Sequence, residues 1–197
     1  AATGNWHLKA TLGDGEEKIF DFKVEDFLPE TMSLAIETEE TPLTTRDNLD
    51  FGIEGRYLYG APAAGNTLNG NLIIQVARNA VESLPGYWFG NSEDNRFQQN
   101  ITLSDQTLND QGKGDVTYES EWSDSKSPLN LTLVANLQES GGRPITRRAV
   151  QAVWPAEQLP AIHPLFMKGN IEDYRDDKAD LSLDADSVAE FDLAMVS

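Results

Sequence analysis

A chain of 197 residues with 33 acidic and 15 basic side chains carries a formal net charge of −18, a field that repels phosphate backbones and anionic lipid surfaces. Nucleic acid and direct membrane contact are therefore poor partners for it. With no cysteine, the chain has no disulfide framework, no thiolate metal ligand and no thiol nucleophile.

The first predicted element alternates Trp6, Leu8 and Ala10 with His7 and Lys9, a period of two that puts apolar side chains on one face of a strand. Gly13-Asp14-Gly15 turns the chain, and Phe20, Phe22 and Val24 answer on a second strand, so residues 5–25 read as a hairpin. Phe27-Leu28-Pro29 ends it, because proline cannot donate to a ladder. The same beat returns in Met32, Leu34 and Ile36, in Phe51, Ile53, Tyr57 and Tyr59, and in Leu72, Ile74 and Val76. It continues through Val116, Tyr118 and Trp122 and is cleanest in Leu129, Leu131, Leu133, Ala135 and Leu137. Polar turn formers separate these runs, among them Asn109-Asp110-Gln111-Gly112 and Ser140-Gly141-Gly142.

Many short alternating strands with polar turns predict an all-β, antiparallel sandwich. Helical signal is confined to Asn79–Leu84, one turn at most, and to residues 187–195, where a strand fits the β context better. Proline marks seams at Phe27-Leu28-Pro29 and from Trp154-Pro155 to His163-Pro164, the latter read as a linker. About seven strands lie between them.

Several residues invite chemistry. Gly55, Gly60 and Gly65 in GRYLYGAPAAG suggest a phosphate loop, but no GxGxxG or lysine-serine ending follows, and a strand comes next. A structural turn suffices: Tyr57 and Tyr59 share the face of Phe51 and Ile53 and are expected inside, while Gly60 and Gly65 let the chain bend around Pro62. On that reading Tyr59→Asp unfolds the domain and Ala63→Ser is silent. His7 falls on the polar side of its strand, and His163 lies between Ile162 and Pro164; neither has a nucleophile and carboxylate gathered by sequence.

Glu172-Asp173, Asp176-Asp177, Asp180, Asp184 and Asp186 supply oxygen ligands in number, yet lack the glycine and closing glutamate of an EF-hand, so a solvated acidic surface is expected. Tyr87, Trp88 and Phe89 would make a sugar or peptide platform if exposed, and ordinary packing if buried. Arg143-Pro144-Ile145-Thr146-Arg147-Arg148 is the one basic patch, expected to pair with surrounding acids. No catalytic, cofactor-binding or metal residue is nominated, and no cofactor is implied.

Six stretches in order resemble the bacterial alpha-2-macroglobulins: Phe22-Lys23-Val24-Glu25-Asp26-Phe27-Leu28-Pro29-Glu30, the Gly55–Gly65 turn, Leu84-Pro85-Gly86-Tyr87-Trp88-Phe89-Gly90, Gly141-Gly142-Arg143-Pro144-Ile145-Thr146-Arg147, Val153-Trp154-Pro155-Ala156 and His163-Pro164-Leu165-Phe166. That resemblance implies a string of macroglobulin domains, each a seven-stranded, fibronectin type III-like sandwich. It makes residues 1–27 the closing hairpin of one domain, 28–157 a complete domain similar to the third as counted in vertebrate relatives, and 158–197 the start of the next.

The implied parent is a periplasmic endopeptidase inhibitor that traps proteases after bait cleavage, in some members as a membrane-anchored lipoprotein. Without cysteine this chain has no thioester, and it shows no long bait segment, so the resemblance implies a non-enzymatic scaffold. Its partners would be adjacent domains of the parent, with trapped proteases held by other parts. A carbohydrate- or peptide-binding envelope module is the competing expectation.

Overall fold

The computed structural model describes residues 3–11, 13, 15–24, 30–91, 94, 97–166 and 186–197. The chain divides into two compact units, Ala1–Thr31 and Met32–Ser197. In the first, β1 (Gly4–Thr11) and β2 (Glu17–Val24) form an antiparallel hairpin with Trp6 opposite Phe22 and Leu8 opposite Phe20. Those four side chains line one face, and all are exposed.

The second unit opens with β3 (Met32–Glu37), β4 (Leu43–Thr44), β5 (Leu49–Tyr57) and β6 (Thr67–Val76). Then come β7 (Trp88–Phe89), β8 (Gln99–Thr102), β9 (Gln106–Thr107), β10 (Lys113–Tyr118), β11 (Leu129–Gln138) and β12 (Ile145–Trp154). β13 (Leu159–Pro164) and β14 (Phe191–Val196) complete it. One sheet has the order β10-β5-β3; the larger runs β4-β12-β11-β6-β8, with β9 also on β6. Counting strands of four residues or more, the two layers hold seven, as the alternating pattern predicts.

Between the layers lies the core. Leu129, Leu131, Leu133 and Leu137 of β11 are fully enclosed and meet Phe51 and Ile53 of β5, Leu72 and Ile74 of β6, and Trp122 from the loop after β10. Each buried leucine contributes about 2 kcal/mol, so the central strand β11 is the main source of adhesion. Gly70 of β6 faces the β11 backbone, where an added Cβ would collide with the Val134 carbonyl. Only a residue without a side chain fits there.

A third sheet, β14-β13-β7, closes over Phe89, Leu159 and Ala161. It corrects the linker reading of the Trp154 to Pro164 segment, since β13 is a paired strand that buries Leu159 and Ala161. It also joins the 158–197 segment to β7, inside 28–157. Residues 191–196 are the strand expected there, and Asn79–Leu84 forms only turns, one closed by Leu84 N–H to the Val81 carbonyl at 3.1 Å.

Candidate functional site

The GRYLYGAPAAG segment is a tightly hydrogen-bonded corner. β5 runs only to Tyr57; Gly60 N–H then donates to the Tyr57 carbonyl and Tyr57 N–H to the Ala61 carbonyl, both at 2.8 Å. The chain folds back so that Ala63 N–H reaches the Gly55 carbonyl at 3.0 Å, and Gly55 N–H reaches the Gly112 carbonyl at 2.8 Å. Residues 61–63 thus continue the β5 edge that β10 leaves. Gly60 (φ 100°) takes a backbone that L side chains rarely adopt.

This geometry corrects the expected burial. Alternation inward from Phe51 and Ile53 passes next to Gly55, which is buried, then to Tyr57, half-buried, and stops. Tyr59 lies in the turn and is 79% exposed, whereas Ala63 is fully buried beneath Gly55. The Tyr57 hydroxyl donates to Glu139 Oε1 at 3.0 Å and accepts from Asn66 Nδ2 at 3.2 Å. No phosphate cradle exists here: the N–H groups named above all donate to carbonyls within the fold.

In the aromatic stretch, Phe89 is buried in the second core while Tyr87 and Trp88 are half-buried. The three rings therefore form no common platform. Trp88 Nε1 is enclosed with no hydrogen-bond partner among the described residues, an orphan donor of the kind that costs about 1–3 kcal/mol. His163, opposite Asp192 in the β13–β14 ladder, packs against the Tyr87 ring with centroids 5.1 Å apart. Gly86 approaches so closely that a Cβ would stand 3.0 Å from His163 Nε2. These contacts make His163 a packing residue within a strand.

Its counterpart His7 is exposed and paired across the hairpin with Asp21. A buried carboxylate missed by sequence reasoning is Asp94, whose Oδ2 accepts from Lys126 N–H at 3.0 Å and Ser127 Oγ at 2.9 Å. Ser127 Oγ in turn accepts from Asn91 N–H at 2.8 Å, so the cluster ties two loops together. No histidine takes part in these bonds, and the Ser127 hydroxyl and the Asp94 carboxylate are spent on holding the two loops together.

The basic patch is the start of β12. Arg148 reaches the Thr132 hydroxyl at 3.5 Å and Arg147 the Thr146 carbonyl at 2.9 Å. The acidic cluster from Glu172 to Asp184 lies outside the described residues; Asp186 is exposed. Among the described residues, no group of three histidine, aspartate or glutamate side chains is placed to hold a metal ion, and no helix is long and apolar enough to cross a membrane.

Residues 30–155 match the family model of the bacterial alpha-2-macroglobulin MG5 domain. The chain is 48% identical over 177 residues to the alpha-2-macroglobulin of Escherichia coli K12, which covers 90% of this chain and 11% of that protein. Identity to the alpha-2-macroglobulin of Xylella fastidiosa (strain Temecula1) is 31% over 171 residues, covering 84% and 10%. A native-conformation reconstruction of the E. coli protein superposes with a TM-score of 0.78 at 45% identity, covering all of this chain and 12% of that one. The trypsin-activated E. coli protein gives 0.70 at 48% identity, covering 89% and 12%. The chain thus spans about a tenth of the length of these relatives.

Proposed function

The chain belongs to the bacterial alpha-2-macroglobulin family, and we propose that it works as a non-catalytic scaffold segment of a longer protease-trapping protein. The observation that carries this reading is a contrast in burial. The seven-stranded sandwich encloses its own core, whereas the strands before and after it in the chain leave apolar faces open: Trp6, Leu8, Phe20 and Phe22 in the first, Phe191, Leu193 and Met195 in the last. Such faces suit incomplete sandwiches whose remaining strands lie elsewhere in the parent.

On this reading residues 1–27 close one macroglobulin domain, 28–157 form a complete one, and 158–197 open the next. The parent would reside in the periplasm, in lipoprotein form if anchored, as a defence against attacking proteases; family membership is what supports this. A sandwich that folds around its own core can move as a rigid body when a cut elsewhere releases the assembly. Lacking cysteine, the segment contributes no thioester.

The test is to incubate the purified chain with trypsin and a large labelled protein substrate. We expect unimpaired digestion and no covalent adduct on a denaturing gel, while the longer protein protects the substrate. Stoichiometric protection by the chain alone would overturn the scaffold reading.

A further inference from the structure

The two outer faces of the sandwich differ sharply in charge. On the smaller sheet, the outward positions of β3, β5 and β10 carry Glu37, Asp50, Glu54 and Asp115 against Arg56 and Lys113. On the larger sheet, the outward positions of β6, β8, β11 and β12 carry no carboxylate at all, in a chain with 33 of them. Their one charge is Arg148.

The larger face has the composition of an interface centre, where charged side chains are depleted. Val150, 45% exposed, stands on β12 at one side of this face, opposite buried Thr132 of β11, whose other ladder partner is half-buried Ile73 of β6. Around them runs a row of amides and hydroxyls: Thr146 Oγ1 donates to Asn136 Oδ1 at 2.6 Å, and Asn136 Nδ2 donates to Asn69 Oδ1 at 3.3 Å. The row ends on the Asn69 amide N–H groups, which donate to nothing among the described residues. Those groups on β6 and the Arg148 guanidinium on β12 are donors suited to carboxylates.

Size fits as well. Four strands about 4.8 Å apart, the longest of ten residues at about 3.4 Å each, make a face on the order of 500 Å². Burying it against an equal area gives about 1,000 Å², within the 600–1,500 Å² typical of contacts between domains of one chain. We propose that this acid-free face docks an acidic outer sheet face of a neighbouring sandwich in the longer protein, a surface of the kind this domain carries on its own small sheet. The inference rests on the scaffold reading, and it names which surface makes the contact.

Because the chain has no cysteine, Val150→Cys introduces a single thiol on the β12 side of the face, and Thr102→Cys a second, independent site on β8. Maleimide labelling is timed in the chain alone and in the longer protein, with the unsubstituted longer protein as background. Labelling at least ten times slower in the longer protein supports docking; equal rates at both sites overturn it. Adding Asn71→Asp with Asn100→Asp to Val150→Cys should restore fast labelling in the longer protein while leaving the melting temperature of the chain unchanged, and persistent protection would sink the charge argument. If the chain alone forms a dimer in which both thiols are protected, the occupant is a second copy and the named partner is wrong. Protease capture by the longer protein, measured separately, reports on the scaffold reading and not on this face.

Discussion

Tyr59 lies against Tyr57 with ring centroids 5.1 Å apart and planes 16° from parallel, yet only Tyr57 is bonded into the fold. An exposed ring stacked on an anchored one contributes about 1 kcal/mol, and its removal exposes nothing buried. Tyr59→Asp should therefore fold and melt within a few degrees of the parent chain. Tyr57→Phe, which strips two hydrogen bonds shared with Glu139 and Asn66, should cost about 1–2 kcal/mol. A larger loss from Tyr59→Asp than from Tyr57→Phe in thermal melts would refute this ordering.

Ala63 reverses the expectation in the other direction. It is fully buried, and its Cβ stands 3.2 Å from where a side chain on Gly55 would begin. A hydroxyl placed there leaves water without an assured partner, at about 1–3 kcal/mol. Ala63→Ser should lower the melting temperature by several degrees; Ala64→Ser, at the exposed neighbouring position, is the control that should not.

Gly112 and Gly141 separate backbone strain from collision. Both have positive φ, 73° and 75°, but a Cβ at Gly141 meets open space while one at Gly112 runs into the Gly55 carbonyl and the Ala63 amide. Alanine at Gly141 should cost about 1 kcal/mol from strain alone. At Gly112 the loss should be at least twice that, read as a lower denaturation midpoint at unchanged slope.

The Tyr118 hydroxyl is held above its ordinary pKa, first by burial and then by the charge and hydrogen bonding of Glu121. Its ring stacks on buried Trp122. Because the folded pKa is raised, the folded state keeps its proton after the unfolded state has begun to lose it. The contribution is complete below about pH 10 and disappears as pH rises through the folded value. Stability should therefore fall above pH 10, and Tyr118→Phe should flatten that fall; identical alkaline profiles would remove Tyr118 from the account.

Legibility in the sequence followed the purity of the alternation. β11 could be read outright because every inward position from Leu129 to Leu137 is apolar. β12 was hidden because two inward positions, Arg147 and Gln151, are polar; Gln151 is buried and satisfied by Glu39 N–H at 2.9 Å and the Thr41 carbonyl at 3.0 Å. Two prolines disguised β13, although Leu159 and Ala161 keep its period. Tyr59 was misplaced because alternation has meaning only while the strand lasts, and Gly55 marks an inward position that an apolar count passes over. The Asp94–Ser127 clamp joins residues 33 apart and has no local signal at all.

β14 ends its sheet with one edge unpaired among the described residues, and that edge bears Leu193 and Met195, 78% and 63% exposed. Asp192 is the only charge within the strand. A short, nearly neutral edge is a template for strand addition, and a single like charge opposes it weakly. Handled as a separate molecule, the chain would gather through this strand at high concentration, so a lysine at Leu193 would extend its working range in solution without touching the sandwich core.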